Sequence, residues 1–423
     1  MINTRFNIYL GQSQEKNQYN FEIHQRFDII YIRIEGVLIM DKDILNYFEV
    51  IPDPRKSKGK LHKLNDVIIM SIFAILSDCK DATDIEYFLE LREEYFTNLL
   101  NLKHGTPSHD TISWVFRIIE PKYFMNVFIN WVKTIIKNKS SIDNNYRIIP
   151  IDGKAIKSAT DKVNNGNIPY IVSAFCQDLG ISIGQVKVED KSNEITAIPE
   201  LLDLINIENC IVTIDAIGTQ KDIVDKIVNE KKAHYCLSVK NNQKSLFYDI
   251  DEYFKFALNN KIEFKTLKSH VTTNKEHGRI ERRECYVCNN IDFINDRDKW
   301  ANIKTIALVR NFREEYGNLA IDDRYYISDL DLSAFDLSDI VRKHWSIENN
   351  LHWILDVHFR EDLSLSKKDN AIHNFSIVRK FCYNLTKLDD NLSHLTIKRR
   401  LATYQYDIKH IENLLFSLFN HYS

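Results

Sequence analysis

The sequence is poor in the residues that mark long linkers and secreted scaffolds. Its 423 residues hold 11 glycines and 7 prolines, too few for extended flexible connectors, so most of the chain is expected to be folded. Seven cysteines, an odd number without regular spacing, do not make a disulfide framework and point to a reducing, cytoplasmic setting. Cys285 and Cys288 form a lone C-x-x-C within the alternating segment RIERRECYVCNN, and no second pair follows to complete a zinc site. The longest apolar stretch near the amino end, Val67 to Leu76, is interrupted by Ser71 and is about half the length of a membrane span. Neither a signal peptide nor a transmembrane helix is visible, so no membrane partner is expected. A basic excess is missing too: the formal net charge is −3, whereas dedicated DNA binders usually carry surplus cations.

What is present is a large apolar content, 44%, in a chain long enough for two or three domains. The cations do not outnumber the acids, but they are clustered. They gather at Arg55, Lys56, Lys58, Lys60 and Lys63, at Lys275, Arg279, Arg282 and Arg283, and at Lys398, Arg399 and Arg400. A single run of this kind is usually a solvated face, but three separated runs could track one polyanionic backbone.

Along the chain the periodicity changes. Residues 1–40 are rich in Asn, Gln and Ile, contain one alternating stretch from Asp28 to Ile39, and have no assigned role. Residues 41–137 turn helical, with apolar residues recurring at three and four, and read as a separate helical domain. Within it, GTPSHDTISWVFRII offers Ser108 as a helix cap after a turn at Gly105 and Pro107, a small helix pair suited either to DNA contact or to packing. Residues 145–385 run RIIPID, IPYIVSAF, ISIGQVKVED, AIPELLDLIN, CIVTIDA, TQKDIVDKIVNE, AHYCLSVK, which predicts an α/β fold with a mixed, centrally parallel sheet flanked by helices. A β-rich insertion is expected at about 260–330, from FKTLKSHV to DRYYISDL, and a basic helical segment at 386–423.

Three acids stand out. Asp152 and Asp215 each end an apolar, β-branched run, Ile148 to Ile151 and Cys210 to Ile214, which reads as a buried strand delivering a carboxylate at its carboxyl end. Glu348 lies in a helical pattern, HWSIENNLHW. Each acid alone would more often cap a turn or face solvent. If the helix crosses the strand ends, the three form a rim of hard oxygen donors able to hold two Mg²⁺ or Mn²⁺ ions for phosphoryl transfer. Gly153 and Lys154 follow Asp152, giving close backbone approach and a cation suited to a phosphate. His344, Glu348, His352 and Asp356 recur every four residues on one helix, where the two histidines are read as structural or DNA-positioning groups ahead of zinc ligands.

Together these segments resemble the H-repeat-associated group of bacterial insertion-sequence transposases, whose catalytic core is the ribonuclease-H-like DDE fold. The resemblance runs from DPRKSKGKLHKL (Asp53 to Leu64) and GTPSHDTISWVF through IDGKAIKS, YIVSAF, KSNEITAIPELL, IVTIDAIGTQ, LSVKNNQ and HGRIERR to HWSIENNLHWILDVHFRED and IKRRLA, most of the chain. It implies that Asp152, Asp215 and Glu348 are a metal-binding catalytic triad, and that residues 41–137 are the transposase-associated domain. It also implies double-stranded DNA as substrate, the element's terminal inverted repeats and a target, with a homodimer in the working complex. Lys154, Lys240, Arg279, Arg282, His344 and His352 are the residues expected against DNA. Hairpin-forming relatives carry Tyr, Arg and Lys around the helical Glu, where this chain has Val341, His344 and Leu355, so a hairpin route is not implied. Two other readings use the same features. One is a transposase-derived DNA-binding protein that no longer cuts, and the other a ribonuclease-H-like nuclease acting on RNA or repair intermediates.

Overall fold

The computed structural model describes residues 48–420 apart from 49, 57–59, 139–145, 158–167, 189–193, 261–266, 277–278, 316–317 and 365–367, together with the backbone of three short strands nearer the amino end. Those strands, β1 (Phe21–Arg26), β2 (Ile29–Ile34) and β3 (Val37–Leu38), form a small antiparallel sheet. The alternating stretch from Asp28 to Ile39 thus supplies two paired strands; its two end residues, together with Glu35 and Gly36, lie outside the described residues.

Among the described residues the next long helices are α1 (Leu64–Leu76), α2 (Ala82–Glu90), α3 (Glu93–Leu100), α4 (His109–Ile118) and α5 (Pro121–Asn138). Local chemistry sets their starts. The Asp81 carboxylate accepts from the Thr83 and Asp84 amides at 2.9 and 3.0 Å, Ser108 caps α4 through the Thr111 amide, and α5 opens on a proline, which needs no amide partner in the first turn.

The main sheet has nine strands: β4 (Arg147–Ala155), β5 (Tyr170–Cys176), β6 (Ile181–Val188), β7 (Cys210–Ile214), β8 (His234–Val239), β9 (Lys268–Glu276), β10 (Arg279–Cys288), β11 (Thr305–Glu315) and β12 (Asn318–Ser328). Their spatial order is β6-β5-β4-β7-β8-β12-β11-β10-β9. The first three strands in sequence make an antiparallel meander, whereas β7 and β8 run parallel to β4. The crossovers between the parallel strands carry α6 (Glu194–Leu204) and α7 (Lys221–Asp225). This is the ribonuclease-H-like arrangement. The β-rich stretch after α8 (Lys244–Asn259) continues this sheet, because β12 pairs with β8 from Tyr325↔Val239 to Ser328↔Cys236. Only the end of β12 is buried; Asn318 to Asp323 are exposed, so β9 to β12 stand out from the body as an arm.

The last helices are α9 (Ala334–His344), α10 (Trp353–Val357), α11 (Ala371–Leu388), α12 (Ile397–Tyr406) and α13 (Ile408–Asn420). α11 is buried on nearly every side, so it needs apolar partners all round. Phe381 stacks on Trp131 at 4.2 Å and Phe375 on Phe116 at 4.3 Å. The Asn374 amide donates to the Phe116 and Ile119 carbonyls, closing the end of α4. One apolar cluster therefore runs from Phe48 to Leu418, and the amino-terminal helices expected as a separate unit share their core with the sheet. A second cluster fills the opposite face beneath Leu337, Ile340 and Val341 of α9. Cys285 belongs to the second and Cys288 to the first, both as free thiols, because residues three apart on a strand face opposite sides. In the carboxyl-terminal basic run, Arg400 is buried and donates to the carbonyls of Thr386, Ser393 and Leu395, leaving Lys398 and Arg399 outward.

Candidate active site

Strand register decides where the first two acids meet. β4 and β7 are parallel neighbours whose last paired residues are Ile151 and Ile214. The next residue on each strand is a carboxylate, so Asp152 and Asp215 lie side by side at the carboxyl edge, where chemistry usually sits in such sheets. Asp215 also caps the short 3-10 turn Ala216–Gly218 by accepting from the Ile217 amide at 3.0 Å.

Glu348 reaches this edge on an irregular helix. Residues Glu348–His352 form a π turn between α9 and α10, a local widening that is often found at functional sites. At the far end of that turn the His352 Nδ1 lies 3.4 Å from Asp152 Oδ2. The π turn thus brings the helix against the strand, with Glu348 exposed and facing solvent.

The electrostatics report the crowding. Burial, and then the negative charges of Asp215, Glu348 and Glu194, push the Asp152 carboxyl up to about 7. Glu194, at the start of α6, is the acid that sequence reasoning left out of the site. It is buried, and its Oε1 would lie 2.4 Å from a Cβ placed on Gly153, so the missing side chain at 153 is what admits it. No spacing rule points to Glu194, because the approach is made across the sheet rather than along the chain.

Among the described residues no three His, Cys, Asp or Glu side chains stand close enough to enclose one ion. The donor set is nevertheless that of a hard divalent cation: carboxylate oxygens, one raised by burial and by its neighbours' charge, at a solvent-open edge.

The remaining expected contacts divide. Lys240 is exposed just beyond β8, at the same sheet edge. Arg282 is exposed, ion-paired with Glu284 and poised over the Phe312 ring. The side chain of Arg279 lies outside the described residues. Lys154, expected against DNA, is instead turned inward, paired with Asp356, 2.9 Å from Glu361 and 3.8 Å from Asp362. The two histidines are likewise interior groups. His344 shares a hydrogen bond with Thr213 Oγ1 at 2.9 Å, and burial lowers it to about 4 and His352 to about 3, so both are neutral near pH 7. Their interior placement follows from the strand pairing and the π turn, neither of which is visible in a four-residue repeat.

Beside the Glu348 helix, the arm and α9 enclose a groove of about 350 Å³ whose lining includes Arg282, Arg283, Arg313, Arg324 and Trp345. Arg324 lies 4.8 Å over the Trp345 ring. Arg313 and Arg324 carried no signal in the sequence, since strand alternation alone does not say which face an arm presents.

Residues 143–385 match the family model described as Transposase DDE domain, and residues 45–132 the one described as DDE_Tnp_1-associated. The chain belongs to the DDE transposase family. Its relatives include YncI of Escherichia coli O157:H7, 35% identical over 381 residues, which are 89% of this chain and 95% of that protein. The H repeat-associated YhhI of Escherichia coli K12 is 34% identical over 379 residues, 88% of this chain and 98% of its own length. Both have transposase in their names. Among solved structures, the piggyBac transposase synaptic complex with hairpin DNA overlaps 90% of this transposase and 77% of its own chain at a TM-score of 0.38 and 11% identity, a likeness too slight to carry weight.

Proposed function

We propose that this transposase binds the terminal inverted repeats of a bacterial insertion sequence and catalyses divalent-metal-dependent DNA strand cleavage and strand transfer. One observation carries the reading: Asp152 and Asp215 lie abreast at the carboxyl edge of two parallel strands, in a member of the DDE transposase family, with Glu348 close enough to repel Asp152.

Asp152, Asp215 and Glu348 would hold Mg²⁺ or Mn²⁺, two ions being expected, with Glu194 adding charge from behind. When bound, the ions would offset the clustered carboxylates and supply the Lewis acidity that in-line displacement at a phosphodiester needs, with water or a 3′-hydroxyl as nucleophile. The chain's own part is to place and neutralise. His352, neutral and packed against Asp152, holds that carboxylate in position. The arginines of the groove and the exposed Lys240 would carry the DNA backbone toward the rim. Joining two ends to a target calls for at least two copies of the chain on double-stranded DNA, in the cytoplasm where bacterial DNA resides.

The test is Asp152→Asn with a duplex carrying the element's end in Mg²⁺. Cleavage is expected to fall by orders of magnitude with end binding retained, because an anionic ligand is lost without change of shape. Cleavage at the parental rate would refute the metal role of Asp152. A parental protein that binds the ends yet never nicks them would instead identify a silent DNA-binding derivative.

A further inference from the structure

Two residues beyond Asp152 on the same strand, Lys154 enters a buried network that none of the proposed chemistry uses. Its ammonium is held by Asp356 at the end of α10 and by Glu361 Oε2 at 2.9 Å in the turn that follows. Glu361 is 1% exposed and its second oxygen accepts from the Ser376 hydroxyl at 2.7 Å. Ser376 and the Gln185 side-chain oxygen lie in turn beside Lys380, itself 1% exposed and 3.8 Å from Glu361. Elements from four parts of the chain therefore meet: β4, β6, the segment after the π turn, and α11.

Such a network is an expensive way to hold a core together, since an apolar cluster of equal volume would usually be at least as stable. What it supplies is register. Apolar side chains tolerate a slide of an ångström or a one-residue slip, whereas an ammonium with two carboxylate partners has one position in which all are satisfied. The elements registered here are informative. Lys154 sits two residues from Asp152, and Asp356 eight residues after Glu348 on the same helical run, so the ion pair ties the strand of one acid to the helix of another. The link matters because the helix reaches the strand through a π turn, whose i→i+5 spacing offsets the following side chains by one residue from their α-helical places.

We infer that Lys154 is a positioning residue, a clamp between β4 and the Glu348 helix that sets the separation of Asp152 and Glu348. This rests on the reading of those two acids as metal ligands, and the experiment separates the two claims.

The full-length protein, Lys154→Met and Asp356→Asn are compared without metal by hydrogen exchange, and then by titration with Mn²⁺ followed as a rise in melting temperature. In Lys154→Met the amides of Glu348 to Val357 are expected to exchange at least tenfold faster while those of Cys210 to Ile214 in β7 are unchanged, and the Mn²⁺ midpoint is expected to rise about tenfold. Asp356 is partly exposed and leaves the Lys154–Glu361 pair intact, so Asp356→Asn is expected to fold and to show the same changes at several-fold size. A general loss of packing would speed exchange in β7 as well and leave the midpoint of the folded fraction where it was. If Lys154→Met does not fold, Asp356→Asn decides. Exchange in Glu348 to Val357 equal to the parent's in a folded variant, or exchange that rises equally in β7, overturns the clamp. Faster exchange confined to that segment, in a parent that shows no Mn²⁺ response, supports the clamp and instead removes the metal reading of the acids.

Discussion

Replacing Asp152 by Asn should stabilise the metal-free protein while abolishing its response to metal, and the size of both effects follows from the crowding at the rim. The Asp152 carboxyl is raised from an ordinary 3.8 to about 7 by burial and by Asp215, Glu348 and Glu194. About three pH units at ~1.4 kcal/mol each set an upper bound on the order of 4 kcal/mol, and solvent reaching the rim reduces this to roughly 1–3 kcal/mol. The sign is that of a raised acid: the folded state holds the proton more tightly, so stability falls as pH rises from about 4 to about 7, and the full cost applies above that. Asn carries no charge and escapes it. At pH 8 without metal, the variant should melt several degrees above the parent, a gap that shrinks to roughly a third at pH 5. Mn²⁺ at about a hundred times its dissociation constant should then raise the parent's stability by ~2.7 kcal/mol and leave the variant nearly unmoved. Scanning calorimetry at the two pH values, with and without Mn²⁺, reads all four numbers. Equal melting at pH 8, or an equal gain from Mn²⁺ in both proteins, would refute the convergence of these carboxylates.

Three further outcomes are expected. Gly153→Ala would set a Cβ 2.4 Å from Glu194 Oε1 and 2.8 Å from the Tyr170 ring. It should cost about 1–3 kcal/mol by overpacking and slow end cleavage at least tenfold, checked by urea denaturation beside a nicking assay. Phe381→Ala removes the ring stacked on Trp131 in a core shared by the amino-terminal helices and the sheet. It should cost about 3–5 kcal/mol and lower the melting of both parts in one transition, followed by circular dichroism together with tryptophan fluorescence. His344, His352 and His373 are held neutral by burial, lowered to about 4, 3 and 3. For depressed histidines the unfolded chain binds protons first, so stability is complete above about 6.5 and is lost as pH falls toward those values. Measured in Asp152→Asn, where the opposing titration of that carboxyl is removed, denaturation midpoints should therefore decline from about pH 6.5 downward, and a profile flat to pH 4.5 would contradict the burial of these rings.

Much of this was legible one residue at a time. The runs Ile148 to Ile151 and Cys210 to Ile214 announced strands because a continuous β-branched stretch is stable only when both faces are buried. Ser108 announced a helix start because its hydroxyl can serve an otherwise orphaned amide. Local signals are silent where partners come from far along the chain. The arm from β9 to β12 read as an insertion, since nothing in its alternation says that Tyr325 to Ser328 pair with β8. The helices before residue 138 read as a separate unit, and a family model of their own covers residues 45–132; that Ala371–Leu388, more than two hundred residues away, joins their core is not written in their periodicity.

The site divides along the same line. Sequence by itself determined which acids end strands and which sits in a helix, because strand length and helical period are local properties of the backbone. Tertiary structure alone decided that Glu194 joins them, that Lys154 turns inward to Asp356 and Glu361, and that a π turn carries Glu348 to the rim. Those outcomes depend on the register between β4 and β7 and on which charges burial forces together, and both are settled only when distant segments pack.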